Sequence, residues 1–232
     1  MRVDDLLQEQ IAYYRARAAE YDQWALRQGR YDHGPELNQL WHDQVDEVRQ
    51  ALLRCGPLES ALELACGTGI WTQELLKISQ RVHAIDAAPE MLAINRAKLL
   101  SDRVSYEQAD LFTWRPQHQY DLAFCGFWLS HVPPEHMAPF LQQVAEALRP
   151  GGRLFLVDSR RAIYAGASDH SLRDPHSDSI LDERKLNDGR RFTIVKVFHE
   201  PEQLGASLRD AGLQPTLRLT ESYFIYGWAD KP

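Results

Sequence analysis

Ala61-Leu62-Glu63-Leu64-Ala65-Cys66-Gly67-Thr68-Gly69-Ile70-Trp71-Thr72 is the stretch whose reading decides the fold, and the apolar run Val82-His83-Ala84-Ile85-Asp86 follows it. An apolar strand enters a tight turn, a helix opens at about Ile70, and a second strand ends in a carboxylate. That layout suits an adenosine-type ligand. Gly67 and Gly69 lack a Cβ, so the chain turns sharply there and a ligand can approach the main chain. The first N–H groups of the helix lack intrahelical partners and face the same loop. Asp86 offers two oxygens to vicinal ribose hydroxyls.

The details separate this loop from its relatives. A dinucleotide fingerprint requires a third small residue after Gly69, where the chain has Thr72 preceded by bulky Trp71. No Lys-Ser or Lys-Thr pair follows, so the loop is not a P-loop. Glu63 stands just ahead of the turn, where it would repel a pyrophosphate. It suits a ligand with a positive charge and an amino group.

These residues resemble the class I S-adenosylmethionine-dependent methyltransferases of the small-molecule type. The family's first motif, acid-x-Gly-x-Gly-x-Gly, appears as Glu63 to Gly69 with Ala65 replacing the first glycine and Cys66 between the next positions. The resemblance implies S-adenosylmethionine as cofactor and S-adenosylhomocysteine as product. It makes Asp86 the ribose acid, with Ala87 beside it and Met91 packing on the adenine. Val104 to Asp110 resembles the third motif, so Ala109, Asp110 and Leu111 are expected at the adenine, with Asp110 accepting from its amino group. Tyr120 to Cys125 resembles the strand that faces the reacting centre, and Leu148 to Ser159 the turn into the fifth strand.

Working outward, apolar strands alternate with helices from Ala61 to Ser159, which indicates βαβ units and a parallel sheet covered on both faces. Residues 3–27 read as an amphipathic helix broken once, and Leu37 to Leu53 as a second. Residues 160–190 are polar and without clear periodicity. Residues from Arg190 to His199 are β-prone, a helix with a glycine stop follows, and two strands close the chain. With the resemblance, the expected fold is α/β: a Rossmann-like seven-stranded sheet, mostly parallel, ending in a C-terminal antiparallel hairpin, with an N-terminal helical lid. The chain is expected to form one domain over 1–232: lid 1–56, cofactor-binding core 57–159, insertion and hairpin 160–232.

The chain has 232 residues, 44% of them hydrophobic, and a net charge of −7. This balance disfavours a nucleic-acid partner, whose phosphates attract Lys and Arg, and an anionic membrane surface. Arg184, Lys185, Arg190 and Arg191 form a local basic cluster that reads as a solvated loop. The three cysteines form no CxxC pair, there is no signal pattern, and no apolar run is long enough to span a bilayer. A cytoplasmic protein, monomer or homodimer, is expected. No metal is expected, although Asp158 ends the fifth strand.

Methyl transfer from a sulfonium is an in-line displacement, so the protein chiefly positions the acceptor. His131, following the fourth strand, is the candidate general base. Tyr14 and Arg17 share one face of the first helix and are the candidate lid contacts, with Arg17 meeting the methionine carboxylate. Phe127, Trp128 and Trp71 are candidate pocket walls. The leading expectation is methyl transfer to O, N or C of a small molecule with a flat or partly apolar shape. RNA or protein methylation, or a catalytically silent cofactor-binding partner, are the alternatives.

Overall fold

The computed structural model describes residues 3–162, 164–170 and 179–232. The N-terminal part consists of α1 (Val3–Arg17), α2 (Asp22–Ala25) and α3 (Pro35–Leu53). The core runs β1 (Leu58–Leu64), α4 (Thr72–Ile78), β2 (Ser79–Asp86), α5 (Pro89–Leu99), β3 (Val104–Gln108), β4 (Tyr120–Gly126), α6 (Pro134–Ala147) and β5 (Leu148–Ser159). Then come β6 (Leu181–Lys185), β7 (Arg191–Val195), α7 (Pro201–Asp210), β8 (Gln214–Leu219) and β9 (Phe224–Asp230).

Seven strands form one sheet in the order β3-β2-β1-β4-β5-β9-β8, and β6 pairs with β7 in a separate two-stranded sheet. β1 to β5 are mutually parallel, while β9 runs antiparallel to both β5 and β8. The central strands read as unbroken apolar runs because both faces are covered. Leu62, Leu64, Ala123 and Leu156 pack under α6 and α7. Ala61, Leu122, Phe124 and Phe155 point the other way, towards α3, α4 and α5. The strand order reverses between β1 and β4, and in open α/β sheets ligands bind outside the carboxyl ends of strands at that reversal.

The N-terminal helix is broken once, as expected: α1 ends at Arg17, and a 3₁₀ turn over Ala18–Glu20 separates it from the short α2. Two other sequence expectations need correction. The helix expected from Ile70 begins at Thr72. The supposed featureless stretch contains β6; residues 163 and 171–178 of that stretch lie outside the described residues. β6 escapes a hydrophobicity reading because Leu181-Asp182-Glu183-Arg184-Lys185 is charged, its pairing with β7 being carried by the backbone. The basic cluster is therefore a hairpin and not a loop. Among the described residues, no helix is long and apolar enough to cross a membrane.

Candidate active site

The loop after β1 is built from left-handed backbone at alternating positions: Ala65 (φ 55°), Gly67 (φ 52°) and Gly69 (φ 90°). Ala65 pays a steric penalty in that conformation, which explains why a glycine is the ordinary residue there. At Gly69 a Cβ would lie 2.6 Å from Asn95 Oδ1, so this glycine lets the loop pack on α5. Asp86 braces the loop: Oδ2 accepts from the Gly67 N–H at 2.9 Å and Oδ1 from the Ala88 N–H at 2.8 Å. Each oxygen retains acceptor capacity towards the cleft. Burial pushes the Asp86 carboxyl up to about 6, against those backbone donors.

Tyr14, Ala65, Gly67, Asp86, Ala87, Met91, Asp110, Leu111 and Phe127 line one cleft at the strand ends. Glu63 and Cys66 line its narrow extension with Tyr21, Trp24 and Trp71. Glu63 is 2% exposed and accepts a 2.6 Å hydrogen bond from the Thr72 hydroxyl. Burial pushes its carboxyl up to about 8, with Asp86 adding to the rise. A buried acid in that state favours a cationic ligand. The Cys66 thiol is likewise pushed up by burial, so it is not a reactive thiolate. Gly69 and Ala109 support the cleft from behind; the Ala109 N–H donates to the Asp86 carbonyl at 3.2 Å.

A second cavity meets this cleft at Tyr14, Tyr21 and Phe127. Its walls come from α1, from the exit of β5 and from the β6–β7 hairpin. Among the described residues, five cationic side chains line it, Arg17, Arg160, Arg161, Arg184 and Lys196, together with one acid, Asp182. Arg17 was expected at the cofactor and lies here instead. Its guanidinium sits over Tyr21 (4.9 Å), Tyr13 (5.6 Å) and Tyr31 (5.7 Å), and donates to the Tyr31 hydroxyl at 3.1 Å. Its Nε is buried without a partner. Arg184 pairs with Asp182 at 2.9 Å, and Arg160 donates to the carbonyls of Thr220 and Glu221.

Lys196 is 5% exposed and donates to Ser130 Oγ at 2.8 Å, with Asp158 at 3.6 Å. Burial pushes its ammonium down to about 8, Asp158 resisting. Burial is the strongest influence and works against the Asp158 charge, but Lys196, His131, His199 and the Ser130 N–H together outweigh it and keep the carboxyl below its ordinary value. Asp158 accepts from the N–H groups of Ser130 and Ser159 as well. It is thus engaged within the protein.

His131 lies in a 3₁₀ turn after β4, 6% exposed, on the wall of the second cavity. Its Nδ1 is 2.7 Å from the Val195 carbonyl, which can only accept, so Nδ1 carries the proton. Nε2 then accepts from the Tyr14 hydroxyl at 2.8 Å. Burial and then the neighbouring Lys196 push the imidazole down to about 3. Gln10 completes the knot, donating to the His131 carbonyl and accepting from the Val195 N–H, both at 3.0 Å. Phe127 holds φ 56° at the end of β4, its N–H donating to the Val157 carbonyl. Of the other candidates, Trp71 walls the narrow extension, Trp128 the main cleft.

Sequence reasoning read Tyr21 with Tyr14 and Arg17 as a lid residue, but missed Trp24, Tyr31, Arg160, Arg161, Arg184 and Lys196. Lys196 did carry a signal, since a lysine inside the β-prone run Phe192 to Phe198 is rarely buried without a task.

Fold and cleft together define a Rossmann-like transferase whose cofactor is an adenosine carrying a positive charge. Residues 61–152 match the family model described as "Methyltransferase domain". The chain is 31% identical over 208 residues to a "Ubiquinone biosynthesis O-methyltransferase" of Xylella fastidiosa (strain 9a5c), covering 85% of this chain and 78% of that protein. It is similar to the solved "DhpI-SAM-HEP complex", with 34% identity, a TM-score of 0.78 and 98% of both chains covered. The N-methyltransferase NodS from Bradyrhizobium japonicum WM9, 16% identical with a TM-score of 0.61, shares the fold. The chain belongs to the class I S-adenosylmethionine-dependent methyltransferases, and S-adenosylmethionine is its cofactor.

Proposed function

We propose that this enzyme transfers the methyl group to an oxygen of a small anionic acceptor, of the carboxylate, phosphate or phosphonate class. The observation that carries the reading is the cavity of Arg17, Arg160, Arg161, Arg184 and Lys196, which opens onto the cofactor cleft at Tyr14, Tyr21 and Phe127. Cations gathered around one cavity favour an anionic ligand, and guanidinium forks match planar or tetrahedral oxyanions. The Xylella relative is named an O-methyltransferase, and a DhpI structure holds SAM together with HEP, which supports an oxygen acceptor on a small molecule. The flat, apolar acceptor expected from the aromatic residues fits this cavity less well.

The cofactor supplies the electrophilic methyl. In this reading Asp86 binds the ribose hydroxyls and Asp110 the adenine amino group. Ala87, Met91 and Leu111 pack on the base, and Glu63 faces the ammonium. An oxyanion acceptor is already deprotonated, so no general base is required. His131, neutral and engaged at both nitrogens, then serves as a positioning residue that aims Tyr14 at the junction of the cavities. Residues 1–56 act as the lid, residues 57–159 as the cofactor core, and residues 160–232 complete the acceptor side within one domain. The free cysteines suit a cytoplasmic setting.

Turnover of labelled cofactor against two panels tests the acceptor class. Small carboxylates, phosphates and phosphonates should include a substrate, whereas catechols of equal size should be inert. Methylation of neutral phenols alone would overturn the reading.

A further inference from the structure

The segment between α1 and α3 carries Tyr21 and Trp24 into the cavity walls, but Asp22 between them points elsewhere. Its Oδ1 accepts from the Thr68 hydroxyl at 2.5 Å, and its Oδ2 from Lys98 Nζ at 2.7 Å. Thr68 is 1% exposed and lies between the two glycines of the cofactor loop. That loop is therefore held from two sides, by Asp86 through the Gly67 N–H and by Asp22 through Thr68. The N-terminal segment also forms the outer wall of the cleft, through Leu7, Gln10, Ile11, Tyr14 and Tyr21.

We propose that Asp22 is a positioning residue that fastens the N-terminal segment to the cofactor loop through Thr68 and sets how long the cofactor stays bound. The two arms of its carboxylate are unequal. The hydroxyl of buried Thr68 makes a charge-assisted hydrogen bond out of water, the stronger kind. The Lys98 pair is about one-third exposed on each side and contributes little. The segment's ion pair between Arg15 and Glu90 is more exposed still, at 52% and 42%. The Tyr14–His131 contact ties α1 to the acceptor side and leaves the cofactor loop untouched.

Stopped-flow fluorescence with S-adenosylhomocysteine tests this, because Trp24 and Trp71 wall the cleft extension and report occupancy. Asp22→Ala should raise koff about tenfold, the order expected for a lost charge-assisted hydrogen bond, and change kon by less than about threefold. Thr68→Val should do the same. The double variant should match either single one, because both remove one interaction. Asp22→Asn and Thr68→Ser keep the acceptor and the hydroxyl, and Lys98→Met removes only the weak arm. All three should stay within about threefold of the parent. Unchanged koff in Asp22→Ala and Thr68→Val, multiplying effects in the double variant, or an Asp22→Asn as fast as Asp22→Ala would overturn the proposal. A purely structural role would lower the unfolding midpoint without ligand and leave koff alone. If Asp22→Ala does not fold, the contrast between Thr68→Val and Thr68→Ser decides. The test uses the cofactor product only, so its outcome is independent of which acceptor the second cavity takes.

Discussion

The cofactor cleft and the cationic cavity share three aromatic side chains but are assembled in opposite ways. The cleft is built from the ends of neighbouring strands, so its residues arrive in short contiguous motifs: Glu63 to Gly69, Asp86 to Met91, Asp110 to Leu111. The cavity collects single residues from α1, the β5 exit and the β6–β7 hairpin, far apart in the chain. A ligand that every member of a family shares can be written into loops of one sheet. A ligand that differs between members is met by side chains that can change one at a time.

The largest effect should fall on the acceptor side. Lys196→Met leaves Asp158 buried beside the backbone donors without its cation, and should cost about 3–5 kcal/mol of stability in denaturant unfolding. A loss under about 1 kcal/mol would mean that water reaches the pair. On the cofactor side, Asp86→Ala removes the ribose acceptor and also frees the Gly67 N–H. Calorimetry should show S-adenosylhomocysteine binding weakened by about 2–4 kcal/mol, roughly 30- to 1000-fold. Unchanged affinity in a folded variant would remove Asp86 from the ribose.

Titration separates the two regions further. The Glu63 carboxyl is raised by burial to about 8 without ligand, so its contribution to stability is full below the ordinary carboxylate range. That contribution is lost as pH rises through about 8. The ammonium of S-adenosylhomocysteine favours the ionised form, so its binding near pH 7 should release a proton and tighten by up to about tenfold per pH unit until about pH 8. Calorimetry in buffers of different ionisation enthalpy measures this, and Glu63→Gln should flatten it. His131→Gln should lower acceptor kcat/KM only about tenfold, the weight of one hydrogen bond, and the parent profile should show no inflection near 6.5. A parent inflection near 6.5 that vanishes in the variant would restore His131 as a base. The smallest effect is Ala65→Gly. Relief of the left-handed strain, about 1–2 kcal/mol, against the entropy of a glycine, about 0.5–1 kcal/mol, should leave a gain of under about 1 kcal/mol. A loss larger than that would mean the Ala65 methyl is a needed contact.

Legibility followed the same divide. Gly67, Asp86, Met91 and Asp110 stand where their motifs put them, because a strand-turn-helix unit fixes loop geometry locally. Gly69 was legible as a glycine position but not as the space that Asn95 requires, since that contact crosses from loop to α5. Arg17 could be read as a lid residue, yet its cavity depends on how α1 crosses the β6–β7 hairpin. Arg184 looked like a surface charge for the same reason. The Asp188-Gly189 pair was a readable hairpin turn, masked by the charges on either side. His131 was expected beside the reacting centre and lies on the wall of the cationic cavity, but only the Val195 carbonyl reveals its protonation.

Phe127 is held in left-handed backbone at the point where both compartments meet, and with Tyr14 and Tyr21 it belongs to each. Ligands bound on the two sides of one partition would be thermodynamically linked through it. Whatever factor S-adenosylhomocysteine imposes on the acceptor's dissociation constant, the acceptor must impose on that of S-adenosylhomocysteine. A spent cofactor that stiffens this partition would hold the enzyme in a state that the next acceptor stabilises, so accumulation of acceptor would itself slow the enzyme's renewal.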